Sequence, residues 1–209
     1  MSEINLELPT FELRNAAFRI YGETTETREL KLKELREKVL EMPNFIDIDT
    51  SDVNLLRYLR GKKFNIEKTL KTIENVIQFN HEHPTWTHNL TQNEFIVFNS
   101  VVKILNIRDK ENRVIVFFKA SEFIKHFTTE FIETNPRAMI RFNVFLINKL
   151  SHNSDIQIYG MIMIGSFSDF TFWDSAKLAT IAPVNERLGF FKYISKCCAI
   201  RIGELLNCD

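Results

Sequence analysis

The sequence predicts a mixed α/β protein: an N-terminal helical subdomain over residues 1–90, then a mostly parallel β-sheet covered by helices over 91–209. Three observations predict this. Apolar residues before residue 90 recur at helical spacing. Beyond residue 100 strand-like and helix-like stretches alternate, as βαβ crossovers do. The stretch "MIMI" is apolar at every position, as expected of a strand covered on both faces.

The helices come first. "TTETRELKLKELREKVLEM" opens with threonines suited to capping, carries acids in its first turn, and places Leu32, Leu35 and Val39 on one face. "SDVNLLRYLRGKKF" follows, with Ser51 as the expected N-cap and a stop near Gly61. "NIEKTLKTIENVIQFNHEHP" starts from Asn65, and its Ile66, Leu70, Ile73 and Ile77 step by four, three and four before Pro84 closes it. Then "VVKILNI", a polar turn "RDKEN" and "RVIVFFK" predict a hairpin. A long helix at about 129–151, the strand "IYGMIMIG", a helix at about 183–197 and a last strand opening at "AIRIGELL" complete the series.

On a wheel of about 100° per residue, Arg141, Asn148 and Lys149 form the polar side of the long helix. Asn143 lies opposite them, in the middle of the apolar face. Two readings stand side by side: a buried amide bonded to nearby backbone, or a polar handle inside an apolar cavity. "PVNERLGFFKYISKCC" also has a broad apolar side, read either as core or as cavity wall.

Composition excludes several classes. Lys+Arg and Asp+Glu number 27 each, and a net charge of zero argues against a nucleic-acid binder. The first residues lack the apolar core of a signal peptide, and no apolar run approaches the roughly 18 residues of a membrane span. Three cysteines clustered in the last 13 positions form no disulfide framework, so a reduced, cytoplasmic protein is expected. Neither GxGxxG nor GxxxxGK[ST] occurs. "GSFSD" is not a nucleophile elbow, and Asp169 and Asp174 have no base or metal motif beside them. His81, His83 and His88 near a helix end suit the helix dipole better than a metal. No cofactor, metal or enzymatic activity is expected.

Residues 55–84, "LLRYLRGKKFNIEKTLKTIENVIQFNHEHP", resemble the N-terminal helical segment of the CRAL-TRIO family of lipid-binding domains. "RDKENRVIVFF" is similar to the hairpin and first long strand of its lipid domain, and "DIQIYGMIMI", with Gln157 and Gly160, to its "TQxxGxxxI" strand. "IAP" at 181–183 and "AIRI" at 199–202 resemble the "TP" and "PxRxK" sites. The likeness covers roughly residues 25–206 and is nearest to the tocopherol- and retinaldehyde-binding branch.

The resemblance implies a soluble carrier that binds one small hydrophobic lipid, tocopherol-, retinoid- or phospholipid-like, in an internal cavity. It implies a lining of Asn143, Ile147, Met161, Ile181, Phe190 and Ile194, and phosphoinositide contact at Arg201. Asn143 and Ile147 are i, i+4, as are Phe190 and Ile194, so each pair shares a helix face. "SFSDFTFWD" departs from the family's "DLEGLSLxH", and Ala199 and Gly203 depart from "PxRxK", which weakens headgroup reading. The likeness stops inside an expected interior strand. This reads as a lipid domain truncated at its C-terminus, with an incomplete sheet edge and a tendency to self-associate. A form that binds no lipid and serves as an interaction scaffold is the alternative. "RYLRGKK", with Arg57, Arg60, Lys62 and Lys63, suggests transient contact with anionic membranes.

Overall fold

A computed structural model describes residues 11–87, 90–119, 125–126, 128, 130–131, 137–166 and 206–208. Its helices are α1 (Phe11–Tyr21), α2 (Thr25–Leu40), α3 (Asp52–Gly61), α4 (Ile66–Glu82), the short α5 (Pro84–Thr87), α6 (Gln92–Val101), α7 (Ala138–Ser151) and α8 (Ser154–Tyr159). The strands are β1 (Val102–Arg108), β2 (Val114–Lys119), β3 (Met161–Ser166) and β4 (Leu206–Cys208). The fold is mixed α/β, mostly helical with a small mixed sheet.

Local chemistry sets the helix ends. Thr24 accepts a bond from the Thr27 amide and Asn65 one from the Lys68 amide, which satisfies donors that a helix start leaves free. Ser51 stands at the N-cap of α3 without a side-chain cap bond and instead pairs with Asp49. After Gly61 the chain turns through Lys63 and Phe64, both left-handed at φ 50° and 59°. Phe64 is held there because its ring enters the core and its amide bonds the Leu59 carbonyl at 2.8 Å.

The hairpin forms as expected. β1 and β2 are antiparallel, joined at Asp109, whose carboxylate accepts from the Glu111 and Arg113 amides at 3.0 and 2.7 Å. Burial pushes the Asp109 carboxyl up, but the bonds from Arg113 and the loop amides outweigh it and hold it below the usual range. β2 and β3 are parallel, with α7 between them in the chain, and β4 lies parallel to β3. The order is β1-β2-β3-β4.

Several expectations are corrected. The strand expected at "IYGMIMIG" starts at Met161, because residues 154–159 form α8, capped by Asn153 and closed by Gly160 at φ 85°. The left-handed turn needs that glycine. In β3, Met161 and Gly165 are buried, while Ile162, Met163 and Ile164 are half-buried. α7 begins at Ala138 rather than near 129, though 130–131 are helical. The expected helix at 183–197 and the opening of the last strand at 199 lie outside the described residues.

α6 is an element the sequence reading missed. Its signal was present in "TQNE": Thr91 and Glu94 form a reciprocal capping box. Glu94 is 1% exposed and also binds the Arg141 guanidinium of α7, at 2.6 and 3.0 Å. Burial pushes the Glu94 carboxyl up, but Arg141 and the Thr91 bonds hold it below the ordinary value.

Two main cores share α7. Ile140, Val144 and Ile147 pack into a core built from α2, α3 and α4 around Leu35, Leu55, Leu59 and Ile73. Ala138, Phe142, Leu146 and Leu150 pack into a second core with Phe98 of α6, Val114 and Val116 of β2, and Met161 of β3.

Candidate functional site

α7 carries the site the sequence singled out. Its two apolar stripes each meet a different core, and Asn143 falls between Leu150 and Ile147 on the wheel. Asn143 is half-buried, on the side opposite Arg141, Asn148 and Lys149. An amide there sits at the seam between two apolar bodies.

The other expected lining residues divide. Ile147 is packed in the core shared with the N-terminal helices, and Met161 in the core between α7 and the sheet. The structure therefore does not bring Ile147 and Met161 into one cluster. Ile181, Phe190, Ile194 and Arg201 lie outside the described residues.

A second apolar surface emerges from the strand register. Side chains alternate across a sheet. Val114 and Val116 of β2, with Met161 and Met163 of β3, turn toward α6 and α7. Ile115 and Phe117 must then turn the other way, in register with Ile162 and Ile164. All four are half-buried, and none belongs to a buried cluster of the described residues. This is an apolar, concerted face of parallel strands, which sequence inspection registered merely as an all-apolar run.

The basic stretch "RYLRGKK" has a different fate from the one expected. Arg57 is 8% exposed and Arg60 2%, so neither is a surface cation. Arg60 makes a two-pronged pair with Glu23, both bonds at 2.8 Å, and also donates to the Gln157 side-chain oxygen. The Gln157 amide nitrogen donates to the carbonyls of Val53, at 3.1 Å, and Ser151, at 2.7 Å. Arg57 donates to Ser151 and to Asn148 of α7, and to the Tyr58 hydroxyl. Tyr21 of α1 donates to the Gln157 carbonyl at 2.8 Å. These contacts fasten the N-terminal helices to α7 and α8. Lys62 and Lys63 remain accessible.

His81 is exposed in the last turn of α4, and the His83 ring stacks on Trp86 with centroids 4.0 Å apart. No group of three or more His, Cys, Asp or Glu side chains that could hold a metal occurs among the described residues. No described helix is long and apolar enough to cross a membrane.

Comparison with known proteins meets this architecture at two places. Residues 18–75, from α1 into α4, match the family model described as "CRAL/TRIO, N-terminal domain". The chain is similar to clavesin-1 of Xenopus laevis, 22% identical over 161 residues that make up 75% of this chain and 47% of clavesin-1. It thus spans about half the length of that relative. The matched segment contains Glu23, Arg57 and Arg60, three side chains of the buried junction, so the likeness to the CRAL/TRIO N-terminal domain falls on the helices that this junction fastens.

Proposed function

We propose that the protein is a carrier that shields one small hydrophobic lipid, tocopherol-, retinoid- or phospholipid-like, and moves it between membranes. The observation that carries this reading is the sheet face of Ile115, Phe117, Ile162 and Ile164, apolar along two paired strands and outside the buried clusters of the described residues. Hiding about 400 Å² of lipid surface from water contributes on the order of 10 kcal/mol before ordering costs. Asn143, on α7 against the other face of the sheet, supplies the polar contact for a headgroup that enters the seam between the two cores. Ile147 and Met161 back the cavity, and Ile181, Phe190 and Ile194 complete its lining. Residues 1–90 brace the lipid unit formed by residues 91–209. Arg201 serves the transient contact with phosphoinositide-bearing membranes, and the sheet edge offers a route to self-association.

The test is solvent extraction of the purified protein followed by mass spectrometry. A hydrophobic compound in stoichiometric amount is expected. Asn143→Leu should change which lipids are retained while leaving the melting temperature close to wild type. A protein that carries no lipid and exposes its apolar surface to dye overturns the reading. A variant that retains the same lipids equally removes Asn143 from it.

A further inference from the structure

The inner side of α1 is well anchored. Leu13, Ala16 and Ala17 are buried against Ile158 of α8, with Ile20, Tyr21 and Tyr159 around them. The Tyr21 bond to the Gln157 carbonyl ties the end of the helix to the buried junction. The inner side of α1 is thus packed against α8 along its length.

The outer side is unlike an ordinary solvated face. Phe11 is 71% exposed and Phe18 61%. They are i and i+7, close to two full turns apart, so both rings project along one line about 10 Å long. Arg14 and Arg19, both exposed, flank that line, and Asn15 and the single acid Glu12 are exposed beside it. Among the described residues neither arginine has an ion-pair partner. Two aromatic rings in water are unfavourable unless something covers them. Guanidiniums beside them, without an ion-pair partner among the described residues, select a cover that is apolar below and anionic at its surface. A bilayer with acidic headgroups has that profile: rings enter the acyl boundary while arginines meet phosphates.

We propose that the outer face of α1, formed by Phe11, Arg14, Phe18 and Arg19, docks the protein onto anionic bilayers. The proposal rests on the carrier reading and deepens its membrane contact by assigning it a surface.

The test uses the full chain in co-sedimentation with phosphatidylcholine vesicles, with and without phosphatidylserine. Wild type should sediment with the anionic vesicles and lose binding as salt is raised. Phe11→Ser with Phe18→Ser, and Arg14→Gln with Arg19→Gln, should each lower partitioning at least five-fold, since one arginine near such a surface contributes on the order of five-fold alone. All four side chains point outward, so thermal melts should match wild type. Equal binding by the variants, equal binding to neutral vesicles, or no binding by wild type overturns the proposal. So does a shift in oligomeric state on serine substitution without vesicle binding, which makes the face a protein contact. Lipid extraction from the same variants separates the two readings. Retained lipid with lost docking supports this one, whereas docking by a protein that never carries lipid overturns the cavity and leaves the α1 face standing.

Discussion

At the residue scale, Arg60 and Glu94 show how much a single buried charge decides. Arg60 is enclosed with all of its bonds to Glu23 and Gln157. Such a pair adds little over a well-packed apolar replacement, but removing Arg60 leaves buried Glu23 with only the longer contact to Arg28, at 3.6 Å. Arg60→Ala should therefore lower unfolding free energy by about 3–5 kcal/mol. Arg60→Met combined with Glu23→Leu should cost less than the sum of the single changes, and urea titration of the set checks this. Glu94 has a depressed carboxyl, so its contribution is present above the ordinary value of 4.5 and disappears as pH falls below it. Glu94→Gln should lose about 1–3 kcal/mol at neutral pH and should narrow the gap to wild type in acid. Melts between neutral and acidic pH read this directly, and a gap that widens in acid contradicts the assignment.

At the element scale, α7 is the shared wall of both cores, and its amphipathic pattern has two apolar stripes rather than one. Ile147→Ala, on the stripe facing the N-terminal helices, should cost about 2–4 kcal/mol. Phe142→Ala, on the stripe facing the sheet, should cost about 3–5 kcal/mol. Denaturant midpoints would test both, and a near-neutral Ile147→Ala would mean that its surroundings close around the gap. The periodicity of α2, α4 and α7 was legible because each alternates apolar and polar residues at helical spacing. α8 was not. "SDIQIYG" alternates Ile with polar residues as a strand would, and the capping bond from Asn153 together with the Gly160 stop overrides that pattern.

At the scale of the molecule, the two cores have no independent boundary. Helix α7 contributes to each, and Arg57, Arg60 and Gln157 cross the seam between α3 and the α7–α8 unit. Opening one core exposes buried groups of the other. Wild type should thus unfold in one transition, with the amides of α3 and α7 exchanging hydrogen at the same limiting free energy. Hydrogen exchange followed by mass spectrometry measures it. In Arg60→Ala the helices before residue 83 should exchange ahead of β2 and β3, because the fastening between units is lost first.

Helices α2, α3 and α4, the hairpin of β1 and β2, the caps at Thr24 and Asn65, and the family likeness were legible in the sequence. These depend on neighbours within a few residues, which spacing records directly. It also placed Asn143 on the apolar side of its helix. It suggested that Arg57 and Arg60 lie at the surface, because basic residues clustered as in "RYLRGKK" ordinarily meet water or an anionic membrane. Tertiary structure reversed that. Asn148, Ser151 and Gln157, about a hundred residues away, cover the polar face of α3 and supply the acceptors that let charge be buried. Periodicity tells which residues share a face, but whether water or another part of the chain meets that face is settled by contacts that exist only once the chain has folded.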